Sequence, residues 1–155
     1  MFRQLQLLFG FLELSERNAY DPTAFVYAFK DIFGEPTNPG LQRDAQEFLN
    51  EFFDKLEEKL KNSNQKYLLA DIFQGTTVIQ SVCQNQDCNH VERRVSPFYS
   101  HTIFVQNLCD VYESLKSQIT GELIEDYSCE TCTNKVNLRR QHILTKLPNV
   151  LILHM

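Results

Sequence analysis

The chain has 155 residues, 43% of them apolar, and its 15 Lys and Arg against 20 Asp and Glu give a formal net charge of −5. A chain of this length buries a single core, and the negative charge disfavours the phosphate backbone of a nucleic acid as partner. No run approaches the roughly 20 apolar residues of a membrane span, so we expect a soluble protein of the cytoplasm or nucleus, with neither nucleic acid nor membrane as partner.

Apolar spacing predicts a helical first part of the chain. Apolar residues recur at helical intervals over residues 2–15, and Pro22 opens a second predicted helix that runs to residue 34. The turn-rich PTNPG segment interrupts the chain, and an apolar stripe then predicts a long helix over residues 41–61.

The remainder of the chain is richer in predicted strands. Alternating, β-branched segments indicate an antiparallel ribbon around the first pair of cysteines, and apolar steps of four indicate one further helix. The predicted strands are residues 76–83, 91–97, 98–106, 135–147 and 150–155, and the helix is residues 107–120. Both ends of the chain carry apolar segments without polar caps, so we expect a piece of a larger fold.

Two pairs of cysteines are the strongest chemical signal in the sequence. Cys83 and Cys88 stand in VCQNQDC, and Cys129 and Cys132 stand in SCETC. Two short C-x(n)-C turns aim four thiolates at one point, which predicts a zinc ribbon with these four residues as ligands. The alternatives are His90 as a substitute ligand, four unrelated core thiols, or two disulfides, which would leave the fifth cysteine unpaired.

Acidic residues form a second constellation along the predicted long helix. They follow one another at steps of three and four and therefore share one ridge: Asp44, Glu47, Glu51, Asp54 and Glu58. The last three are interpreted as a solvated helix face. The first two lie in the first turn, where they either stabilise the positive end of the helix dipole or meet a partner.

The segment QRDAQEFL, residues 42–49, resembles the QQDAxEFL box of ubiquitin-specific proteases, with Arg43 in place of the second Gln. The segments LQLLFGFL and DIFQG, the two cysteine pairs and KLPNVLILH agree with the family in the same order. On these motifs the chain is identified as a member of that family, most similar to its fat-facets-type and related giant members.

The resemblance implies an α+β fold, part of a papain-like cysteine protease hand. Residues 1–66 would be helices of the thumb, residues 67–145 the zinc-ribbon fingers, and residues 146–155 the start of the palm. It also implies a deubiquitinase that hydrolyses isopeptide bonds after the C-terminal glycine of ubiquitin, with ubiquitin and ubiquitinated proteins as partners. Asp44 and Glu47 would face the arginine-bearing tail of ubiquitin, and zinc would be structural.

The boxes that carry the catalytic cysteine and histidine of the family would lie outside these residues, so we expect recognition without chemistry. Cys109 is interpreted as a core residue, and His101, His142 and His154 as packed or surface side chains. The alternative function is a non-catalytic ubiquitin-binding or scaffold module.

Overall fold

The computed structural model describes residues 1–31, 33–88 and 90–155. These residues divide into two compact units, 1–66 and 67–155. Within the described residues, no helix combines the length and the apolar character that crossing a membrane requires.

The first unit is helical. Its helices are α1 Phe2–Leu14, α2 Thr23–Ala28 and α3 Ala45–Leu60. The prediction for α1 is confirmed, whereas α2 ends well before residue 34. After α2 the carboxylate of Asp31 accepts the backbone N–H groups of Phe33 and Glu35 at 2.8 and 2.9 Å, and this local turn competes with a further helical turn. Ile32, which also falls in the predicted helix, lies outside the described residues.

Helix α3 begins at Ala45 because Asp44 caps it. The Asp44 side chain accepts the Glu47 N–H at 2.9 Å, while Asp44 itself has an extended backbone. The predicted start at Leu41 was therefore wrong: this residue precedes the helix and is 67% exposed.

The buried face of α3 packs against aromatic side chains of the same unit. Phe29, only 1% exposed, has its ring centroid 5.0 Å from that of Phe48 and 6.3 Å from that of Phe52. Truncation of such a buried ring lowers the free energy of unfolding by on the order of 3–5 kcal/mol. This aromatic cluster therefore holds α3 in its position within the unit.

The second unit is built on an antiparallel sheet. Its strands and helices are α4 Leu68–Phe73, β1 Gly75–Cys83, β2 Val91–Phe98, β3 Ser100–Thr102, α5 Val111–Thr120, β4 Glu122–Ser128, β5 Lys135–Lys146 and β6 Ile152–His154. The order of the strands in the antiparallel sheet is β2, β1, β5, β4. The predictions for β1, β2 and β5 are confirmed, and α4 and β4 were not predicted.

Strand β3 departs from the predicted antiparallel ribbon. It is short, and it pairs in parallel with β6, with Ser100 opposite Ile152. Helix α5 also differs from its prediction, since it begins at Val111. Asn107 has a φ of 60°, outside the helical range, and Asp110 caps the helix by accepting the Glu113 N–H at 2.7 Å.

Candidate metal centre and acidic groove

The pairing of β1 with β5 brings the two cysteine pairs to the same end of the sheet. Cys83 ends β1 and stands opposite Leu138 of β5, while the other pair lies in the turn that leads from β4 into β5. Backbone bonds close both turns: the Cys88 N–H donates to Asn85 O at 3.0 Å, and the Cys129 N–H donates to Asn134 O at 3.1 Å. The antiparallel register thus joins cysteines that are distant in sequence.

The four sulfur atoms of Cys83, Cys88, Cys129 and Cys132 all lie within 4.8 Å of one another. Cys88 Sγ and Cys129 Sγ are 3.9 Å apart, too far for a disulfide bond of about 2.05 Å. A tetrahedron with metal–sulfur bonds of about 2.3 Å has edges of about 3.8 Å. All four cysteines are free thiols, so the cluster fits a metal ion and not the disulfide alternative.

The surroundings shift the pKa values of Cys88 and Cys129 in opposite directions. The backbone N–H groups of Cys132 and Thr131 lower the pKa of Cys129 to about 6. For Cys88, the backbone N–H of His90 lowers the pKa, but burial and the neighbouring thiols together raise it to about 12. A bound cation would favour deprotonation of all four thiols.

Neither His90 nor Cys109 belongs to this cluster of four cysteines. The backbone of His90 accepts the Cys83 N–H at 3.1 Å, and its ring is not among the grouped ligand atoms. Cys109 is exposed, so its interpretation as a core residue was wrong. The physical reason is the late start of α5, because Cys109 precedes the Asp110 cap and so lies outside the buried helix face.

A groove of about 720 Å³ lies beside the start of α3 in the first unit. Glu47 and Asp54 line it, together with the apolar side chains of Phe33 and Leu41, which are 83% and 67% exposed. Asp44 caps the helix and is exposed, although it is not among the groove-lining residues. The groove therefore presents carboxylates and apolar groups side by side.

The interpretation of Glu51 as a solvated acid was wrong. Its side chain is 16% exposed, and its two oxygens accept from Arg43 Nη2 at 2.7 Å and Lys55 Nζ at 2.8 Å. Burial raises the pKa of Glu51, but the bonds from Lys55 and Arg43 outweigh it and hold the pKa below its usual value. Asp54 and Glu58 are exposed, as expected.

The chain matches the family model described as ubiquitin carboxyl-terminal hydrolase over residues 1–155. The chain belongs to this family. It is 33% identical to human ubiquitin carboxyl-terminal hydrolase 9Y and 31% identical to the probable ubiquitin carboxyl-terminal hydrolase FAF of Drosophila melanogaster. Both matches cover 100% of this chain and 6% of the relative, so the chain spans about 6% of the length of these curated relatives.

A solved structure shares the fold. It is that of the SAGA Ubp8/Sgf11/Sus1/Sgf73 DUB module bound to ubiquitin aldehyde, with a TM-score of 0.60 and 24% identity. The likeness covers 72% of this chain and 26% of that one. The α+β fold predicted from the sequence is thereby confirmed.

Three of the four histidines of the chain lie in strands: His101 in β3, His142 in β5 and His154 in β6. His101 is 8% exposed, and its Nε2 lies 2.7 Å from Oε1 of Gln118. Because Gln118 Nε2 donates to Thr102 O at 2.8 Å, its Oε1 faces the ring, and His101 Nε2 is the donor. His101 is thus a packed residue, as predicted. His154 lies half-buried in β6 and His142 half-buried in β5.

The ion pairs that Glu51 forms with Arg43 and Lys55 were not predicted from the sequence. One signal was available, since Glu51 and Lys55 have the i,i+4 spacing that favours a helical ion pair. The other pair had no such signal. Arg43 lies in a loop, and spacing along a helix does not show that a loop residue reaches back to it.

Proposed function

We propose that residues 1–155 form the ubiquitin-recognising part of a cysteine-type deubiquitinase, which removes ubiquitin from protein conjugates by hydrolysing the bond after its C-terminal glycine. In this proposal, residues 1–66 are thumb helices, residues 67–145 are the fingers, and residues 146–155 begin the palm. The observation that carries the proposal is the acidic groove beside Glu47, in a chain whose family acts on ubiquitin carboxyl termini.

Asp44 and Glu47 are the proposed contacts for the basic tail of ubiquitin. Both side chains are exposed at the start of α3. Arginine forms short, charge-assisted bonds with carboxylates, so an acidic groove suits a tail that carries arginines.

The cysteine cluster is the proposed structural zinc site. Four sulfurs within 4.8 Å of one another suit Zn²⁺. Because free thiols persist in a reducing compartment, we also place the protein in the cytoplasm or nucleus. Bound zinc supplies cross-linking of the two turns and no chemistry on the substrate. Cys83, Cys88, Cys129 and Cys132 would hold it, and the sheet beyond them would be kept in register.

These residues are proposed to supply recognition and not catalysis. A cysteine nucleophile needs a histidine or an equivalent base within hydrogen-bonding reach. Within the described residues, the backbone N–H of Cys109 donates to Glu113 Oε2 at 2.8 Å, and none of the hydrogen bonds of Cys109 involves a histidine. The net charge of −5 supports a protein partner in place of nucleic acid.

Replacing Asp44 with Asn and Glu47 with Gln tests tail recognition. Asn caps a helix about as well as Asp, so Asp44→Asn removes the charge while keeping the cap. We expect each substitution to weaken ubiquitin binding at least about tenfold, which corresponds to roughly 1.4 kcal/mol, with little change in the unfolding midpoint. Titration calorimetry with ubiquitin and thermal unfolding measure the two quantities.

The chain offers two matched controls for this test. Asp110 caps α5 in the same way as Asp44 caps α3, and Glu58 is an exposed acid further along α3. Asp110→Asn and Glu58→Gln should leave ubiquitin binding unchanged. Equal losses in all four variants would show a general charge effect, and the tail-recognition role would then be abandoned.

A further inference from the structure

The acidic groove of the first unit contains its own cation. Its charged lining residues are Asp31, Arg43, Glu47, Glu51 and Asp54. Among the described lining residues, Arg43 is the only cation, and its side chain is 29% exposed. A guanidinium group therefore already occupies part of a surface that is otherwise suited to a basic ligand.

Glu51, which also binds Lys55, holds the guanidinium of Arg43 in place. Arg43 Nη2 lies 2.7 Å from Glu51 Oε2, and Lys55 Nζ lies 2.8 Å from Glu51 Oε1. Lys55 Nζ is in turn 5.1 Å from the ring centroid of the buried Phe29, within the range of a cation–π contact. Both oxygens of Glu51 are thus engaged by cations of the chain, so an arginine of a ligand would have to compete with Arg43 and Lys55 for this carboxylate.

Arg43 also interacts electrostatically with two further acids of the groove, Glu47 and Asp31. The hydrogen bond with Glu51 raises the pKa of Arg43, and the charges of Glu47 and Asp31 raise it further. Glu47, Glu51 and Asp54 succeed one another at steps of four and three on α3, so Arg43 interrupts the acidic ridge at its middle. The QQDAxEFL pattern has an uncharged Gln at this position.

We propose that Arg43 is a specificity-determining residue that acts as an internal counter-ion of the groove, occupying Glu51 and limiting how strongly the groove binds an arginine-bearing peptide. This inference rests on the proposed tail-recognition function and deepens it. The groove then offers Glu47 and Asp54 to a ligand while its central acid stays paired. The groove consequently prefers a basic peptide over a neutral one by a smaller ratio of affinities than its number of acidic residues suggests.

Two short synthetic peptides test the role of Arg43. One carries two arginines, and the other has the same sequence with glutamine in both places; each is titrated into the whole chain and followed by fluorescence anisotropy. For Arg43→Gln we expect the arginine peptide to bind about three- to tenfold more tightly than to the unmodified chain, because a like charge has been removed close by. The glutamine peptide should change little, and added salt should reduce the difference.

Two further variants separate the charge of Arg43 from other effects. Arg43→Lys keeps the charge and should behave as the unmodified chain does. Lys59→Gln removes the same charge from an exposed position in the last turn of α3 and should have no such effect.

Each other result of these peptide titrations would contradict a specific part of the proposal for Arg43. Weaker binding of both peptides to Arg43→Gln would mean that Arg43 only stabilises the loop that precedes α3. Weaker binding of the arginine peptide alone would mean that the guanidinium itself contacts the ligand. Unchanged discrimination would also contradict the counter-ion role, while leaving tail recognition intact. If the unmodified chain bound neither peptide, the proposed function itself would fail, and the inference with it.

Discussion

At the scale of single residues, two aspartates show what local sequence does and does not reveal. Asp44 and Asp110 each precede a helix and accept the backbone N–H of the residue three positions later. In both cases that residue is a glutamate, and an acid followed by Glu at this spacing is a known signal for a helix start. The start of α5 at Val111 could thus have been predicted. The sequence does not show whether such a cap also binds a partner.

Cys109 provides a prediction at the same scale. It is the one exposed cysteine among the five, and the other four lie in the cysteine cluster. With zinc bound, a maleimide reagent should modify one thiol per chain, and removal of zinc in denaturant should raise this to five, as counted by mass spectrometry. Exposure without a catalytic base predicts no reaction of Cys109 with a ubiquitin-based suicide probe.

The variant Cys109→Ser is the control for this prediction. It should show no rapid modification while zinc is bound. Fast labelling of a cluster cysteine would contradict metal protection, and covalent capture of the ubiquitin probe at Cys109 would show that the nucleophile had been misplaced.

At the scale of secondary-structure elements, regular periodicity was predictable and irregular connections were not. Strand β5 and helix α1 follow long, unbroken patterns and were predicted closely. Strand β4 escaped prediction because Asp126, with a φ of 55°, sits at an irregularity in its pairing with β5 and breaks the alternation. The parallel pairing of β3 with β6 depends on residues far apart in sequence, which no local pattern encodes.

The turn between α5 and β4 depends on one glycine. Gly121 has a φ of 79°, and a Cβ atom there would lie 2.4 Å from the carbonyl oxygen of Arg140. Gly121→Ala should therefore lower the free energy of unfolding by more than about 1 kcal/mol, as measured by urea denaturation, since the backbone cannot relax without moving β5.

Gly10 is the matched control for Gly121. It lies inside α1, and nothing stands within 4 Å of the position that its Cβ would take. Gly10→Ala should stabilise the chain by roughly 0.5–1 kcal/mol through helix propensity. Equal effects of the two substitutions would contradict the role assigned to the turn.

At the scale of the whole molecule, the cysteine cluster and the groove differ in how far the sequence specified them. Each cysteine pair is local, so its spacing alone indicates a ligand turn, and antiparallel pairing of β1 with β5 then brings the turns together. The groove depends on a contact between a loop and the second turn of α3, made by Arg43 and Glu51. The charge pattern of the groove therefore could not be predicted from the sequence without the fold.

Metal removal should affect the two units of the chain differently. Purified under reducing conditions, the chain should carry about one zinc ion by elemental analysis, because thiolate coordination is coupled to folding. After chelation, hydrogen exchange should quicken at the amides of Cys83, Cys129 and Thr133, whose backbone bonds close the cysteine turns. The amides of α3, in the other unit, should keep their protection and serve as the internal control.

Cys83→Ser should give the same pattern without a chelator, because three thiolates hold zinc less tightly than four. Zinc well below one equivalent in a cooperatively folded chain, or equal loss of protection in both units, would contradict a structural metal confined to the sheet.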